Sequence, residues 1–255
     1  MATAILSDLV QEARRLLEGA RASDVLVRAV GGIAIPLHAN GDVHPAFARP
    51  YRDIDLVTKA RGTRDVSRFL VEMGYSPNER FNAMNGSRRL VFYDVEHERQ
   101  LDVFVGQFEM CHSIPIADRL ALDERTVPLA ELLLTKLQVV HLNEKDLDDI
   151  WAILHEHEVA EHDDDAVNAA YIASLLAGDW GFWRTTRETI ETAQTRLASS
   201  GAPAADRKVI EDRLVRLWER IEAEPKNLRW RTRARLGDRA KWYDEPEEIA
   251  HGVGR

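Results

Sequence analysis

The chain has 255 residues and a formal net charge of −9, and with 45% apolar and 30% charged residues it has the composition of an ordinary soluble globular protein. No apolar run approaches the roughly 18 to 20 residues that a membrane-spanning helix needs, so no membrane partner is expected. The single cysteine, Cys111, excludes an internal disulfide and a multi-cysteine zinc site, and the absence of a signal-peptide pattern favours a cytoplasmic location.

The first third of the chain is predicted to alternate between helices, strands and loops. Residues 1–22 form an amphipathic helix, and "DVLVRAVGGIAI" predicts a short strand, a Gly-Gly turn and a new element. Residues 36–50 contain Gly41, Pro45 and Pro50 and are predicted to be mostly loop. "RDIDLVT" predicts a strand, and "RGTRDVSRFLVEMGY" predicts a helix with Thr63 as its N-cap and Gly74 as its stop.

The rest of the chain becomes progressively helical. "RRLVFYDV" and "RQLDVFVG" predict two strands joined by the polar turn "EHE", and "AELLLTKLQVVHL" and "EKDLDDIWAILHEH" predict two helices. Nearly everything after about residue 165 is compatible with helix. We therefore predict an α+β fold, with a mixed sheet and flanking helices in a domain of residues 1–125 and a mainly helical domain of residues 126–255.

Three acidic residues in β-prone stretches form the main candidate site. Asp53 and Asp55 alternate in one predicted strand and therefore point to the same face, and Asp102 lies among apolar residues in a later strand. Three such carboxylates can converge on a divalent cation, for which Mg²⁺ is the natural candidate and Mn²⁺ the alternative. The competing interpretation pairs Asp53 with Arg52 or Arg49 and Asp102 with a buried arginine.

A Gly-Gly pair precedes the acids by about twenty residues. Gly31 and Gly32 allow backbone amides to approach a phosphate closely, although such a pair can also be a simple tight turn. The order of apolar strand, Gly-Gly, Asp-x-Asp strand and later Asp strand resembles that of the nucleotidyltransferase fold, the DNA polymerase β-like superfamily. The resemblance implies that this sheet and its helices belong to that fold.

More narrowly, "VGGIAIPLH" and "RPYRDIDLV" are similar to the AbiEii-type branch, which includes the MenT-type toxins of toxin–antitoxin systems. That branch has an arginine just before the Asp-x-Asp, a Leu-rich helix with a lysine, and then a helix with the pattern KD-x-x-D. The resemblance covers roughly residues 28–155. The matching residues here are Arg52, Lys136, Lys145, Asp146 and Asp149.

The resemblance implies a nucleotidyltransferase that binds a nucleoside triphosphate with Mg²⁺. The metal ligands would be Asp53 and Asp55, with Asp102 as a third ligand or as the base, and the phosphates would lie near Gly31, Gly32 and Lys136.

Four further residues are considered for the predicted site. Lys136 lies in an otherwise apolar helix, where a lysine must snorkel or find an anion. Asp146 and Asp149 share a helix face, and Asp146 is our choice for the acid that turns inward. Arg52 contacts a phosphate or neutralises Asp53.

The acceptor and the partners are less constrained. Residues 207–241 carry 12 Lys/Arg against 6 Asp/Glu, and "LRWRTRARLGDRAKWY" interleaves aromatic residues with arginines, which suits RNA as well as helix packing. A tRNA 3′ end is therefore one acceptor, and a protein hydroxyl or a small molecule such as an aminoglycoside is another. A toxin would have an antitoxin partner. The alternatives are a non-catalytic nucleotide-binding module and a helical interaction protein.

Histidines are not part of the predicted site. His141 and His155 are expected to be structural or surface residues rather than metal ligands. The stretch "HEHE" at residues 155–158 is not expected to bind a metal, because adjacent residues of a helix do not share one face.

Overall fold

The computed structural model describes residues 4–39 and 42–245 and has a mixed α+β architecture. The strands within these residues are β1 Arg28–Val30, β2 Ile54–Thr58, β3 Ser76–Pro77, β4 Arg89–Asp94, β5 Arg99–Val105, β6 Gln107–Glu109, β7 Ser113–Pro115, β8 Glu158–Ala160 and β9 Ala166–Asn168. The α-helices are α1 Leu9–Ala22, α2 Ile35–His38, α3 Thr63–Glu72, α4 Glu79–Asn85, α5 Leu129–Leu137, α6 Glu144–Glu156, α7 Ala169–Gly178, α8 Trp180–Arg196, α9 Ala204–Ala223 and α10 Leu228–Ala234.

The main sheet has five strands in the order β1-β2-β5-β4-β3. Strands β2 and β5 are parallel, and the other neighbours are antiparallel, so the sheet is mixed and open. The crossover from β2 to β5 passes through α3, β3, α4 and β4, as a parallel pair requires a long connection. In the register of this sheet Asp55 lies opposite Asp102 on one side and opposite Val30 on the other.

The apolar pattern explains the elements around β2. Ile54, Leu56 and Val57 are buried, and β2 begins at Ile54, so Asp53 precedes the strand instead of lying in it. After β2, helix α3 buries a stripe of Val66, Phe69 and Leu70 against the sheet. Ile54 and Leu56 point to one face of β2, whereas Asp55 points to the other face, together with the buried Val57.

The ends of α3 differ in how well the sequence predicts them. Gly74 adopts a φ of +102° just after the C-cap, so the prediction that the helix ends there is confirmed. The prediction that Thr63 is the N-cap is wrong. A 3₁₀ turn over Ala60–Gly62 leads directly into α3, Gly62 is the N-cap, and the Thr63 hydroxyl donates to the Ala60 carbonyl.

The two halves of the chain meet along β1 and around α5. The Ala29 amide donates to the Arg125 carbonyl at 2.8 Å, and the Val127 amide donates to the Ala29 carbonyl at 2.9 Å. Helix α5 follows at once and is buried at every residue except Lys136. The buried apolar side chains form one continuous cluster that extends from α1 to α9.

The late tryptophans serve packing. Trp180 and Trp183 of α8 are buried, and the Trp183 ring lies 5.9 Å from that of Trp218 and 5.1 Å from that of Trp230. Together they attach α8, α9 and α10 to one another. In residues 4–39 and 42–245, no helix combines the length and the apolar character needed to cross a membrane.

Candidate active site

A cleft of about 720 Å³ lies between the edge of the main sheet and helices α5 and α6. Its walls bring together side chains from β2, from the loop before it and from the two helices. The predicted residues that line it are Gly32, Arg52, Asp53, Asp55, Lys136 and Asp146. Two other predicted residues, Gly31 and Asp102, lie directly behind Asp55.

Asp53, Asp55 and Asp102, here called the acidic cluster, stand at one side of this cleft. Asp53 is exposed, Asp55 is half-buried and Asp102 is only 4% exposed. The Arg89 Nε atom donates to Asp102 Oδ1 at 2.9 Å, and the Gln100 side-chain amide donates to Asp102 Oδ2 at 2.7 Å. The alternative prediction that Asp102 pairs with an arginine is therefore confirmed by the contact with Arg89.

Negative charge accumulates at Asp55. Burial raises the pKa of the Asp55 carboxyl well above its usual value, and the neighbouring Asp53 and Asp102 carboxylates raise it further. Lys136 and Arg89 act in the opposite direction but do not cancel these effects. A bound cation next to Asp55 would relieve this repulsion.

The glycine turn after β1 allows the backbone to pass close to this carboxylate. Gly31 has a φ of +69°, and a Cβ atom at this position would lie 2.6 Å from Asp55 Oδ2. A Cβ at Gly32 would collide with the Arg49 guanidinium. Both positions therefore need glycine because of what packs against them, and Gly31 needs it also for its backbone conformation.

Two cations beside the cleft gather around one buried carboxylate. Asp149 of α6 is 1% exposed and accepts two hydrogen bonds from Arg49, from Nε at 2.7 Å and from Nη2 at 2.6 Å. Lys136 Nζ lies 2.7 Å from the same carboxylate. One buried carboxylate thus holds two cations, and this group of Arg49, Lys136 and Asp149, here called the cationic cluster, has a net charge of +1.

Asp146 and Asp149 both turn inward, but they differ in role. Asp146 was our choice for the inward acid, and its carboxylate lies 3.8 Å from Lys136 Nζ. It also completes a capping box with Asn143 at the start of α6. Asp149 is the more deeply buried of the two and makes the shorter contact with Lys136.

Two cations stand at the mouth of the cleft. Arg52 and Lys145 are exposed and line the cleft. Within the described residues neither side chain forms an ion pair or a hydrogen bond, and an Arg52–Asp53 pair is not present. They are therefore available to an anionic ligand.

Comparison with the models of known protein families found no match, and comparison with curated proteins found none either. The function is therefore argued from the chemistry of the cleft itself. That chemistry combines an acidic cluster, a cationic cluster and unpaired cations around one space that is large enough for a nucleotide.

The acidic cluster was tested for its fit to Mg²⁺. Carboxylate oxygens are the ligands that Mg²⁺ prefers. In the described chain, Asp53, Asp55 and Asp102 do not bring a ligand atom of each within 4.8 Å of the other two. Asp53 is exposed and therefore has room to move, and a carboxylate with two hydrogen bonds, such as Asp102, still has acceptor capacity. The donor chemistry therefore suits Mg²⁺, although the three carboxylates do not converge on one position in the described structure.

Some contributors to the site had no role in the sequence-based prediction. Arg49 was considered only as a partner of Asp53, and its contact with Asp149 joins residues 100 positions apart. Arg89 on the neighbouring strand β4 and Gln100 on β5 itself hold Asp102. The capping box at the start of α6 is also absent from the sequence-based prediction. The pattern Asn143-x-x-Asp146 before an apolar stretch could have indicated it.

Proposed function

We propose that the protein is a Mg²⁺-dependent nucleotidyltransferase that moves a nucleoside monophosphate from a nucleoside triphosphate to an acceptor hydroxyl. The observation that carries this proposal is the presence of carboxylates and cations around one cleft. The acidic cluster lies at the sheet, Lys136 and Lys145 lie on α5 and α6, and Arg49 and Arg52 lie on the loop before β2. A metal-bound triphosphate has the complementary arrangement of charges.

The acidic side supports a metal site. The raised pKa of Asp55 reflects burial and the repulsion of its acidic neighbours, and both effects favour binding of a cation or a proton. Asp53 and Asp55 would be the ligands, with Asp102 as the third acid. Bound Mg²⁺ would supply charge neutralisation for the phosphates and activation of the attacking oxygen.

The cations beside the cleft support a phosphate site. The Arg49 and Lys136 side chains are held in place by three short contacts to Asp149, so these cations are positioned before a ligand arrives. Arg52 and Lys145 add two cations at the rim. Gly32 lines the same cleft and lets a phosphate approach the main chain.

In the reaction that we propose, an acceptor hydroxyl oxygen forms a bond to the α-phosphorus of the triphosphate. The bond from that phosphorus to the bridging oxygen of the β-phosphate breaks, and pyrophosphate leaves. The hydroxyl proton passes to a carboxylate of the acidic cluster or to water. Lys136 and Arg49 stabilise the negative charge of the leaving group.

The fold assignment belongs to the same proposal. The Gly31 turn, the Asp55 strand and the Asp102 strand follow one another in the order of the nucleotidyltransferase fold, and β2 and β5 are adjacent in the sheet. We include in the proposal the AbiEii/MenT-type resemblance, with an antitoxin as partner.

RNA, including a tRNA 3′ end, is the acceptor class that the surface favours. The cations of the basic region differ in whether they are ion-paired. Lys208 and Arg220 of α9 are ion-paired with acidic neighbours, whereas α10 and its C-cap have exposed arginines without an ion pair among the described residues. These are Arg229, Arg231 and Arg235.

The proposal is tested with the full chain, Mg²⁺ and each of the four α-labelled nucleoside triphosphates in turn. Total RNA, the protein itself and an aminoglycoside serve as acceptors. Asp55→Asn removes the central carboxylate, and Asp118→Asn, an exposed acid outside the cleft, is the matched control. We expect label transfer by the wild-type chain and the control, and a loss of at least about 100-fold in Asp55→Asn.

The acceptor that becomes labelled identifies the substrate class. If nucleotide binds but no acceptor is labelled, the protein is a binding module and the proposed transfer is wrong. Equal labelling by wild type and Asp55→Asn would show that the acidic cluster is not the catalytic centre.

A further inference from the structure

A second group of potential metal ligands lies outside the cleft. His44, His155 and Asp206 each place one ligand atom within 4.8 Å of those of the other two, and they form the only such group of His, Cys, Asp or Glu side chains in the part of the chain that the structure describes. Their side chains are 23%, 20% and 28% exposed, so an ion from solvent can reach them.

The group joins three parts of the fold. His44 belongs to the loop that leads to β2, His155 is in the last turn of α6, and Asp206 is in the first turn of α9. His44 Nε2 lies 3.5 Å from Asp206 Oδ2, and His155 Nε2 lies 3.4 Å from Asp206 Oδ1. The ligands of a tetrahedral Zn²⁺ ion with bonds of about 2.0 to 2.1 Å are roughly 3.3 to 3.4 Å apart.

The imidazole rings are held in place by packing. The His44 ring is 4.8 Å from the His155 ring, and both rings contact Phe47, at 5.2 Å and 5.9 Å between centroids. Phe47 is fully buried. The rings therefore have few other orientations available, and the positions of their nitrogens are set before an ion binds.

The second nitrogen of each ring indicates which atom can bind a metal. His155 Nδ1 lies 3.1 Å from the Glu156 carboxylate, which holds the proton on Nδ1 and leaves a lone pair on Nε2. His44 Nδ1 accepts the Ala46 amide at 3.2 Å, so binding at His44 Nε2 requires the loss of this hydrogen bond. Ala46 is only half-buried, and water can replace His44 as the acceptor.

We infer that His44, His155 and Asp206 form a binding site for a divalent transition-metal ion, with Zn²⁺ as the expected ion. Two imidazoles and one carboxylate suit Zn²⁺, whereas Mg²⁺ prefers a shell of oxygens. The site is therefore chemically distinct from the acidic cluster. A fourth tetrahedral position remains for water.

The ion would fix the loop that carries the substrate-facing residues. Between His44 and β2 this loop contains Arg49, Arg52 and Asp53, and the ion would tie its start to α6 and α9. This inference concerns metal binding alone and does not depend on nucleotidyl transfer.

The experiment is a Zn²⁺ titration of the full chain after removal of metals with a chelator. Affinity is measured by competition with a chromophoric chelator, and thermal unfolding is followed with and without Zn²⁺. The test variants are His155→Gln and Asp206→Asn, and the matched control is His162→Gln, because His162 is an exposed histidine outside the group. Asp55→Asn is the control for the acidic cluster.

We expect one Zn²⁺ per wild-type chain with a dissociation constant of about 1 μM or tighter and a rise in melting temperature on binding. His155→Gln and Asp206→Asn should weaken binding at least about tenfold, while both controls keep the wild-type affinity. Co²⁺ should give the visible absorption of a four-coordinate ion in wild type and in both controls, but not in His155→Gln or Asp206→Asn. Absence of binding by wild type, or equal binding by all variants, would overturn the inference.

Discussion

Gly31 shows how one backbone position determines where a carboxylate of the site can lie. Its φ of +69° is unfavourable for any residue with a Cβ atom, and a Cβ would also lie 2.6 Å from Asp55 Oδ2. The turn is thus under two separate constraints, one conformational and one steric. Gly201 provides a comparison, because it also has a positive φ, of +77°, but nothing lies within 4 Å of its missing Cβ.

We predict that Gly31→Ala lowers the free energy of unfolding by more than Gly201→Ala. A positive φ should cost about 1 to 2 kcal/mol in both variants. At Gly31 a ψ of −154°, which almost only glycine adopts at this φ, and the contact with Asp55 both add to this cost. The measurement is urea unfolding of both variants beside wild type. Equal losses in the two variants would show that the turn tolerates a methyl group at Asp55.

Asp149 is a second residue on which several others depend. It neutralises Arg49 and Lys136 together while being 1% exposed itself. Removal of its charge would leave two poorly hydrated cations facing each other. A buried charged group that loses its partner is far more costly than an exposed one.

Asp149→Asn should therefore lower the free energy of unfolding by about 3 kcal/mol. The matched control is Asp148→Asn, the neighbouring half-buried acid, which lacks an ion pair among the described residues and should change stability by less than about 1 kcal/mol. Denaturant unfolding of both variants gives the comparison. Equal free energies of unfolding for the two variants would show that the contact of Asp149 with Arg49 and Lys136 does not contribute to stability.

The residues of the site were predictable from sequence to different degrees. Alternation along a strand was sufficient to place the Asp55 side chain on the face of β2 opposite to that of its two apolar neighbours. The position of Asp102 beside it depends on the order of strands in the sheet, which alternation does not contain. The contact between Arg49 and Asp149 and the grouping of His44 with His155 depend on how distant segments pack, so no local pattern indicates them.

At the scale of elements, local patterns located β2, β4, β5, α5 and α6 because each has a clear apolar period. They were less informative at element ends. Asp53 falls outside β2, and Thr63 is not a cap, because a 3₁₀ turn and a loop compete with the regular element there. In the basic region, Lys208 and Arg220 of α9 are ion-paired, whereas Arg229, Arg231 and Arg235 at α10 form no ion pair within the described residues.

If RNA is the acceptor, α10 should provide much of its binding surface. We predict that the triple variant Arg229→Gln, Arg231→Gln and Arg235→Gln weakens RNA binding and lowers the slope of log affinity against log salt by about 2. The measurement is fluorescence anisotropy with a labelled tRNA at several salt concentrations.

The control for this variant changes the net charge by the same amount at cations that are already ion-paired. It combines Arg187→Gln, Lys208→Gln and Arg220→Gln. Equal effects of the two triple variants would indicate that net charge alone governs binding and that α10 is not a specific surface.

At the scale of the whole molecule, buried histidines link folding to pH. His112 is 6% exposed, stacks on Phe182 and hydrogen-bonds to Thr185 Oγ1 at 2.8 Å. Burial lowers the pKa of His112 to about 4, while an unfolded histidine titrates near its ordinary value of 6.5. Below pH 6.5 the unfolded chain therefore binds a proton that the folded chain excludes, and stability falls as the pH drops toward 4.

We predict that His112 alone removes about 2 kcal/mol of unfolding free energy between pH 7 and pH 5. His112→Gln should lower the free energy of unfolding at neutral pH. It should also reduce the loss of this free energy between pH 7 and pH 5 by about 2 kcal/mol. His162→Gln, at an exposed position, should leave the pH dependence unchanged. The measurement is urea unfolding at each pH with a chelator present, and an unchanged slope in His112→Gln would contradict the assignment.

The short pairing of residues 125–127 with β1 has a consequence for any attempt to divide the chain. It stands where the predicted 1–125 and 126–255 domains meet, and it brings Lys136 and Asp149 against a cleft whose carboxylates come from the first half. A fragment of residues 1–125 would keep its acids but lose the lysine and expose the edge of its sheet. The fragments of residues 1–125 and 126–255 would each carry only part of the cleft. A complementation assay can therefore measure whether their reassembly restores it.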